Sequence, residues 1–220
     1  MKRSNSKRSA LVLGLGRFGS AAAQRLVALG WDVVGVDNDP KVVQEMRDRV
    51  GHVLELDASD EDALAIVGVP EFEVCIVSGA SNVETSILLL LNLQSLGAKF
   101  IVAKSASEYH GRILRRLDVD KMIYPERDAG IHLADSLQSP DLVEWITIGT
   151  DQELAAVRVP KERVGTKLSQ WGALRHPSLQ ILARLDAEGK RMDLQDDIPL
   201  RSGEKVIVVG PAPDILALGA

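Results

Sequence analysis

Apolar and polar positions follow two different periods along the chain, which separates short strands from longer helices. Residues 10–125 contain six short apolar runs, and stretches of helical period lie between them. The predicted strands are ALVLGL (10–15), DVVGVD (32–37), HVLEL (52–56), EVCIVS (73–78), KFIVAK (99–104) and KMIYP (121–125). Because these runs are continuously apolar rather than alternating, they are typical of a parallel sheet with helices on both faces.

Helices are predicted between and after these strands, at 18–29, from 40 onward, and at 60–67, 82–96, 107–117 and 126–138. Gly30 supplies a left-handed stop to the first helix, and Pro40 stands at the first position of the second. The segment 81–84 (SNVE) fits a capping box for the helix at 82–96. That helix contains the run ILLLLNL, so we expect it to be buried on more than one side, partly against another subunit.

The pattern changes at residues 139–141 (SPD). Beyond this point lie the strand-like runs LVEWITIG, ELAAVRVP, LQILARLD and EKVIVVG, with a short helix near 163–170 and another at the C-terminus. They predict a small α+β module of about 80 residues, which is below the usual domain size and needs a partner to bury its faces.

Composition narrows the classes of protein that fit. The 220 residues are 45% hydrophobic and 26% charged with a formal net charge of −5, which is ordinary for a globular protein and gives no support to nucleic acid as a partner. No apolar run is long enough to cross a bilayer. The single cysteine, Cys75, permits no intrachain disulfide, fits a cytoplasmic location, and is predicted to be a small buried hydrophobe.

The turn after the first predicted strand carries the sequence GLGRFG (14–19). A G-x-G-x-x-G pattern between a strand and a helix, with an acidic residue ending the second strand (here Asp37), is typical of a dinucleotide-binding, Rossmann-like fold. The glycines allow a tight turn and close approach of the backbone to phosphate, and the N–H groups of the helix start attract an anion. We expect Asp37 to accept hydrogen bonds from ribose hydroxyls and to disfavour NADP.

Arg17 lies inside this turn, where its guanidinium would add a bidentate grip on phosphate oxygens. This favours a nucleotide di- or triphosphate without excluding NAD; the alternative is an arginine that points into water. A catalytic constellation is not evident, since Tyr109 is followed four positions later by Ile113 rather than lysine, and the histidines form no recognisable catalytic or metal pattern. The site is therefore predicted to bind rather than to react. The alternatives are an NAD-dependent oxidoreductase and a nucleotide-binding scaffold with some other partner.

Four motifs, GLGRFG, VDND, SGASNVETS and YPERDAG, followed by a small C-terminal module, resemble the RCK regulatory proteins of Ktr/Trk-type potassium transporters. The resemblance covers nearly all of residues 10–139 and the outline of 140–220. It implies a cytoplasmic protein at the inner face of the plasma membrane, built as an octameric ring of dimers. Such a ring binds ATP, ADP or NAD(H) and gates a membrane potassium-transporter subunit.

The chain is thus predicted to divide into a flexible basic tail (1–9), a Rossmann-like nucleotide-binding domain (10–139) and a regulatory module (140–220). The tail is expected from Lys2, Arg3, Lys7 and Arg8 among serines, and the alternative is a weak electrostatic contact with an anionic surface.

Carried over by position from the family, Gly14, Gly16, Arg17 and Gly19 would hold phosphates, and Asp37 with Asp39 the ribose. Asp57, the 79–81 loop (Gly79, Ala80 and Ser81) and Lys104 would surround adenine and its ribose. Phe18, Asn38, Ala58 and Ser78 are implied as further contacts with the nucleotide.

Two further roles follow from the resemblance. Glu126 would lie near the γ-phosphate and meet a cation such as Mg²⁺ at the dimer interface, while Arg127 would reach the neighbouring subunit's nucleotide. The alternative for Glu126 is a favourable interaction with the N-terminus of the last helix of the domain. Some members bind a cyclic dinucleotide in the C-terminal module, where Arg175 and His176 are the local candidates; a solvated loop is the alternative for both.

Overall fold

The structure is a computed structural model that describes residues 7–79, 83–138, 141–148, 150–171, 174, 176–194 and 198–219. The chain divides into two compact units, residues 1–127 and 128–220, and each unit is built on its own β-sheet. Within the described residues, no helix is long and apolar enough to cross a membrane.

The sheet of the first unit has six parallel strands, in the spatial order β3-β2-β1-β4-β5-β6. Their bounds are β1 (Ser9–Leu13), β2 (Asp32–Asp37), β3 (His52–Glu55), β4 (Val74–Val77), β5 (Ile101–Lys104) and β6 (Lys121–Ile123). The predicted doubly wound parallel α/β sheet is confirmed. Because the sheet grows in one direction from β1 and in the other from β4, a crevice opens at the carboxyl ends of these two neighbours, where such sheets bind ligands.

Five helices lie in the described part of this unit: α1 (Arg17–Ala28), α2 (Pro40–Met46), α3 (Glu61–Ala65), α4 (Val83–Ser95) and α5 (Glu108–Arg116). The helix α6 (Pro125–Gln138) begins in the first unit and ends in the second. Three of the helices begin at a capping side chain that accepts a hydrogen bond from a first-turn N–H, namely Asp39, Asp60 and Ser107. Ser81 and Asn82 of the predicted capping box lie outside the described residues.

The two faces of the sheet bury separate hydrophobic clusters. On one face, Leu11 and Leu13 of β1 share a cluster with residues of α3, α4 and α5. On the other face, Ala10 and Val12 share a cluster with residues of α1 and α2. Helices therefore cover both faces, as the continuously apolar strands predict, and each fully buried leucine or valine stabilises the fold by roughly 1.5–3 kcal/mol.

Helix α4 is only partly buried within one chain. Leu89, Leu90 and Leu93 are buried against the sheet, whereas Leu88 and Leu91 are each 43% exposed. The expected burial on more than one side is thus not reached in the single chain. Packing of the exposed leucines on another subunit stays a prediction.

The second unit holds a five-stranded antiparallel sheet in the order β10-β9-β11-β8-β7. Its elements are β7 (Leu142–Thr147), β8 (Glu153–Arg158), β9 (Gln180–Leu185), β10 (Arg191–Met192), β11 (Lys205–Gly210) and the helix α7 (Ala212–Leu216). The four predicted strands and the C-terminal helix are present. The two-residue strand β10 was not predicted, because it is too short to show a period.

The short helix predicted near 163–170 is wrong. Two separate 3-10 turns, Lys161–Arg163 and Leu168–Gln170, occupy this stretch. Gly165 between them has φ +84°, in the left-handed region that ends a helix, and its N–H donates to the carbonyl of Leu200. The backbone is therefore drawn into a contact across the unit instead of continuing a helix.

Candidate functional site

Tight packing explains two of the three glycines in the turn after β1. Gly14 has φ +86°, and a Cβ at this position would collide with the backbone of Gly79. A Cβ at Gly19 would collide with the carbonyl oxygen of Gly14 and with the Ser78 side chain. A Cβ at Gly16, by contrast, would meet no described atom within 4 Å. The fold itself thus requires Gly14 and Gly19, while Gly16 leaves open space at the start of α1.

The start of α1 differs from the capped helices. Gly16 is its N-cap residue, and among the described residues no side chain caps it and no acidic residue lies in the first turn. The first N–H groups of a helix need partners and carry a partial positive charge. Open space in front of such an end suits an anion.

Ser78 and Gly79 hold this turn from the end of β4. The Ser78 hydroxyl donates to the carbonyl oxygen of Gly14 at 2.5 Å, and the Gly79 N–H donates to the carbonyl of Leu13 at 3.1 Å. Both residues were predicted as ligand contacts. The side chain of Ser78 is engaged by the turn, whereas Gly79 also lines the cleft described next.

A small open cleft of about 90 Å³ lies at the carboxyl ends of β1, β2 and β4. Apolar walls come from Val36 and Leu89, and the helix α4 also contributes Thr85. The cleft brings together six of the predicted site residues, namely Gly14, Asp37, Asn38, Asp57, Ala58 and Gly79.

The Asp37 carboxylate accepts two backbone hydrogen bonds at the mouth of β2. Its Oδ2 accepts from the N–H of Leu15 at 2.6 Å and its Oδ1 from the N–H of Asp39 at 2.9 Å. A carboxylate has about four acceptor positions, so both oxygens keep capacity for ligand hydroxyls. Asp39 is engaged differently, because its Oδ1 caps α2 by accepting from the N–H of Lys41 at 2.9 Å.

The loop after β3 forms another wall of the cleft. The Oδ1 of Asp57 accepts from the hydroxyl of Ser59 at 2.6 Å and from its N–H at 3.0 Å. The hydroxyl bond, followed by the N–H bond, lowers the pKa of Asp57 below its ordinary value. Asn92 of α4 holds the same loop, since its Nδ2 donates to the carbonyls of Ala58 (3.1 Å) and Ser59 (2.9 Å). Sequence reasoning missed Asn92, although it is the one polar residue in ILLLLNL.

A second group of predicted residues gathers as a charge cluster of Arg17, Lys104 and Glu126. The Nζ of Lys104 lies 2.6 Å from Oε1 of Glu126. This hydrogen bond is the main cause that lowers the pKa of Glu126; a backbone N–H adds to it, as does the positive charge of Lys104 and Arg17. Lys104 was predicted beside adenine, and it does not line the cleft but neutralises Glu126 instead.

Arg127 is held on the surface of the same unit. Its Nη1 lies 2.9 Å from Oε1 of Glu108, and its guanidinium stacks on the ring of Tyr124 at 4.1 Å from the centroid. Both partners fix the direction of the side chain. A reach toward a neighbouring subunit's nucleotide stays a prediction.

The remaining predicted residues contribute less to the cleft. Phe18 packs against the cluster under α1 and α2, and Ala80 and Arg175 lie outside the described residues. His176 is half-exposed, with its Nδ1 2.6 Å from the Ser178 hydroxyl, which in turn donates to Asp214. Cys75 is fully buried, which confirms the predicted small buried hydrophobe, and burial raises the pKa of its thiol to about 12. In the part of the chain that the structure describes, no three His, Cys, Asp or Glu side chains form a metal-binding group.

Comparison with known proteins identifies the family. The sequence model of the TrkA-N domain family matches residues 10–125, which contain the parallel sheet and the cleft. The chain belongs to the TrkA-N domain family. It is 32% identical over 150 residues to the Ktr system potassium uptake protein A of Bacillus subtilis (strain 168), covering 67% of this chain and 68% of that protein. It is also 27% identical over 202 residues to the Ktr system potassium uptake protein A of Vibrio alginolyticus, covering 91% of each.

Solved structures share the fold. The crystal structure of the GsuK RCK domain superposes with a TM-score of 0.68 at 16% identity, over 99% of this chain and 48% of that one. The GsuK channel bound to NAD gives a TM-score of 0.67 at 16% identity, over 98% of this chain and 39% of that one. This chain thus spans about half or less of these solved chains. The predicted family resemblance is confirmed by the family match and the Ktr relatives, and the fold agrees with that of the RCK domain. The relatives are potassium uptake proteins, which agrees with the prediction that the site binds rather than reacts.

Proposed function

We propose that this protein is a regulatory gating subunit of a Ktr/Trk-type potassium uptake system and that an adenine nucleotide controls it. The observation that carries the nucleotide part is the open space at Gly16, which lies in front of an uncapped helix start and in the same turn as Gly14 of the cleft. The names of the relatives, potassium uptake proteins of Ktr systems, support the transport part.

The chemistry of the site favours a nucleoside with two or more phosphates. Asp37 and Asp57 offer acceptor oxygens for ribose and adenine donors, and Val36 and Leu89 give the cleft an apolar part. Arg17 adds positive charge at the phosphate end, while Lys104 balances the charge of Glu126. ATP, ADP and NAD(H) all fit this pattern, and the solved GsuK channel with NAD supports the last of them. A 2′-phosphate would be repelled by Asp37, which disfavours NADP.

A cation completes the proposal when the ligand is a triphosphate. Glu126 is ionised at neutral pH, and a carboxylate beside a third phosphate is repulsive unless a cation lies between them. Glu126 is the residue that would hold such a cation, for example Mg²⁺. Its bond to Lys104 at 2.6 Å then has to be exchanged for the cation or the phosphate.

Assembly and location follow from the family rather than from the single chain. We place the protein in the cytoplasm, as dimers in an octameric ring against a membrane transporter subunit. The exposed Leu88 and Leu91 of α4 are consistent with a surface that another subunit covers. A cyclic dinucleotide is not part of this proposal, because the half-exposed His176 already has partners in Ser178 and Asp214.

The test combines binding and transport. Calorimetry with ADP, ATP, NAD and NADP on the purified protein should give binding of the first three and much weaker binding of NADP. Addition of the protein to liposomes that contain the potassium transporter from the same cell should then change the potassium flux differently with ATP and with ADP. Binding without any change in flux would contradict the gating role, and no binding at all would contradict the nucleotide site.

A further inference from the structure

Asn92 is a buried polar residue in a leucine-rich helix. It is 8% exposed, and Leu89, Leu90 and Leu93 of α4 are buried beside it. Burying an amide costs free energy unless it is hydrogen-bonded. Both bonds from its Nδ2 end on one loop, at the carbonyl oxygens of Ala58 and Ser59. The amide thus connects α4 to the segment that follows β3.

That segment is the wall of the cleft that carries Asp57 and Ala58. Within the segment, Ser59 bonds to the Asp57 carboxylate, and the Asp60 N–H donates to the Asp57 carbonyl at 3.1 Å. Asn92 supplies the two side-chain bonds that reach the segment from α4. The position of the Asp57 carboxylate therefore depends on a side chain that does not itself line the cleft.

The same side of α4 also lines the cleft. Thr85 and Leu89, four positions apart, are lining residues, and Asn92 comes three positions after Leu89, so these steps stay on one helix face. One rigid helix thus carries two wall residues and the anchor of the facing loop. A leucine at position 92 would satisfy the packing of this buried face, so the packing alone does not call for an amide.

We propose that Asn92 is a positioning residue, which sets the affinity for the adenosine part of the nucleotide by fixing the Asp57 loop at a set distance from α4. This inference rests on the proposed function of the cleft. It predicts that loss of the amide lowers the affinity for adenosine, ADP and NAD by the same factor, because the loop faces the nucleoside and not the phosphates. A purely structural role would lower stability and leave the affinity of the folded protein unchanged.

Two variants and a matched control test it. Asn92→Leu keeps the volume and removes both donors, while Asn92→Asp keeps the shape and puts carboxylate oxygens against two carbonyls. Gln94→Leu is the control, because Gln94 lies on the same helix and its Nε2 donates to the Leu117 carbonyl at 2.6 Å, away from the cleft lining. Calorimetry should show that both Asn92 variants lose about tenfold or more in affinity, by the same factor for adenosine and for ADP. The Gln94→Leu protein should lose less than about twofold in affinity.

Hydrogen exchange gives a second readout. The Ser59 amide, which is bonded to Asp57, should exchange faster in the nucleotide-free Asn92 variants than in the wild type, and adenosine should slow its exchange in the wild type. Folded Asn92 variants that bind adenosine within about twofold of the wild type would overturn the inference. If neither variant folds, the wild type decides. Amide hydrogen exchange at residues 57–60 that adenosine does not slow would then overturn the inference. A wild type that binds no adenine nucleotide would instead overturn the proposed function.

Discussion

The backbone N–H of Leu15 donates to Oδ2 of Asp37 at 2.6 Å, so the carboxylate that ends β2 holds the glycine-rich turn that follows β1. Leu15 is 3% exposed, whereas Gly16 and Arg17, which follow it in the turn, are exposed. The same carboxylate organises its own loop through the N–H of Asp39. Asp37 thus fixes the geometry of the turn as well as offering acceptor oxygens to the cleft.

Asp37→Ala should therefore affect stability and binding together. Leaving the Leu15 N–H without its partner should lower the free energy of unfolding by about 1–3 kcal/mol. The affinity for ADP should fall by about tenfold or more, because the ribose loses its acceptor. Denaturant unfolding and calorimetry measure the two effects, and Asp32→Ala, at the exposed opposite end of β2, is the control. If stability falls while ADP affinity is unchanged, Asp37 holds the turn and does not bind ribose.

Gly16→Ala and Gly79→Ala should separate binding from folding. A Cβ at Gly79 would collide with the Gly14 backbone, so this variant should be destabilised by several kcal/mol and bind poorly as a consequence. A Cβ at Gly16 meets no described atom within 4 Å, so this variant should fold with nearly normal stability and still lose phosphate affinity.

Gly51→Ala is the matched control for these variants, because its Cβ also meets no described atom within 4 Å and Gly51 does not line the cleft. Thermal unfolding and ADP titration give the comparison. A stable Gly16→Ala protein that binds ADP as the wild type does would show that phosphate does not approach the backbone there.

The second unit offers a stability prediction at a buried ion pair. Arg184 is fully buried, with its Nη2 2.6 Å from Oε2 of Glu204, and it also donates to the carbonyls of Ile198 and Pro199. Arg184→Met should lower the free energy of unfolding by about 3–5 kcal/mol, because the buried Glu204 carboxylate loses its partner. Adding Glu204→Leu should recover part of this loss but not all, since the two carbonyls stay unsatisfied. Denaturant unfolding followed by tryptophan fluorescence reports on this unit when Trp31 of the first unit is replaced by phenylalanine, which leaves Trp145 and Trp171.

Local patterns predicted the elements of the first unit well, since strand and helix periods need only neighbouring residues. The fingerprint predicted the turn for the same reason, because Gly14 and Asp37 stand at fixed places in one βαβ arrangement. The segment 163–170 shows where this fails. Its helix-like composition was overridden at Gly165 by a contact with Leu200, which no local pattern reveals.

Partners of site residues were harder to predict, because they depend on which loops meet in space. Asn92 bonds to carbonyls more than 30 positions earlier in the chain, and backbone carbonyls carry no sequence signature. Lys104 ends β5 and Glu126 follows β6, so the sheet order alone brings them to the same edge. The sequence indicated that both were important and did not indicate that they pair.

That pairing makes the pKa of Glu126 a reporter on Lys104. Lys104→Met should raise the pKa of Glu126 toward the ordinary glutamate value, because the hydrogen bond that lowers it is lost. Because the pKa of Glu126 is lower in the folded protein, its carboxylate stabilises the fold at pH values above the ordinary glutamate pKa. This stabilisation is lost as the pH falls through the lowered pKa. The stability difference between wild type and Lys104→Met should thus be present at neutral pH and vanish in acid, and it should be small for so exposed a pair. A nuclear magnetic resonance titration of the Glu126 carboxyl measures the shift directly, and an unchanged pKa would contradict the pairing.

Glu126 should also decide whether a cation distinguishes ATP from ADP. A third phosphate beside the Glu126 carboxylate is repulsive, so Mg²⁺ or Ca²⁺ should bind to the ATP-loaded protein and much less to the ADP-loaded protein. The bound cation shifts an equilibrium between two conformations of the assembly only if it binds one conformation more tightly than the other. Titration of both cations into ATP- and ADP-loaded protein tests this with the variant Glu126→Gln. Glu73→Gln is the control, because the Glu73 carboxylate pairs with Arg8 at 3.0 Å at the opposite ends of the strands. If Glu126→Gln loses some thermal stability but keeps the cation response, Glu126 serves only the N-terminus of α6.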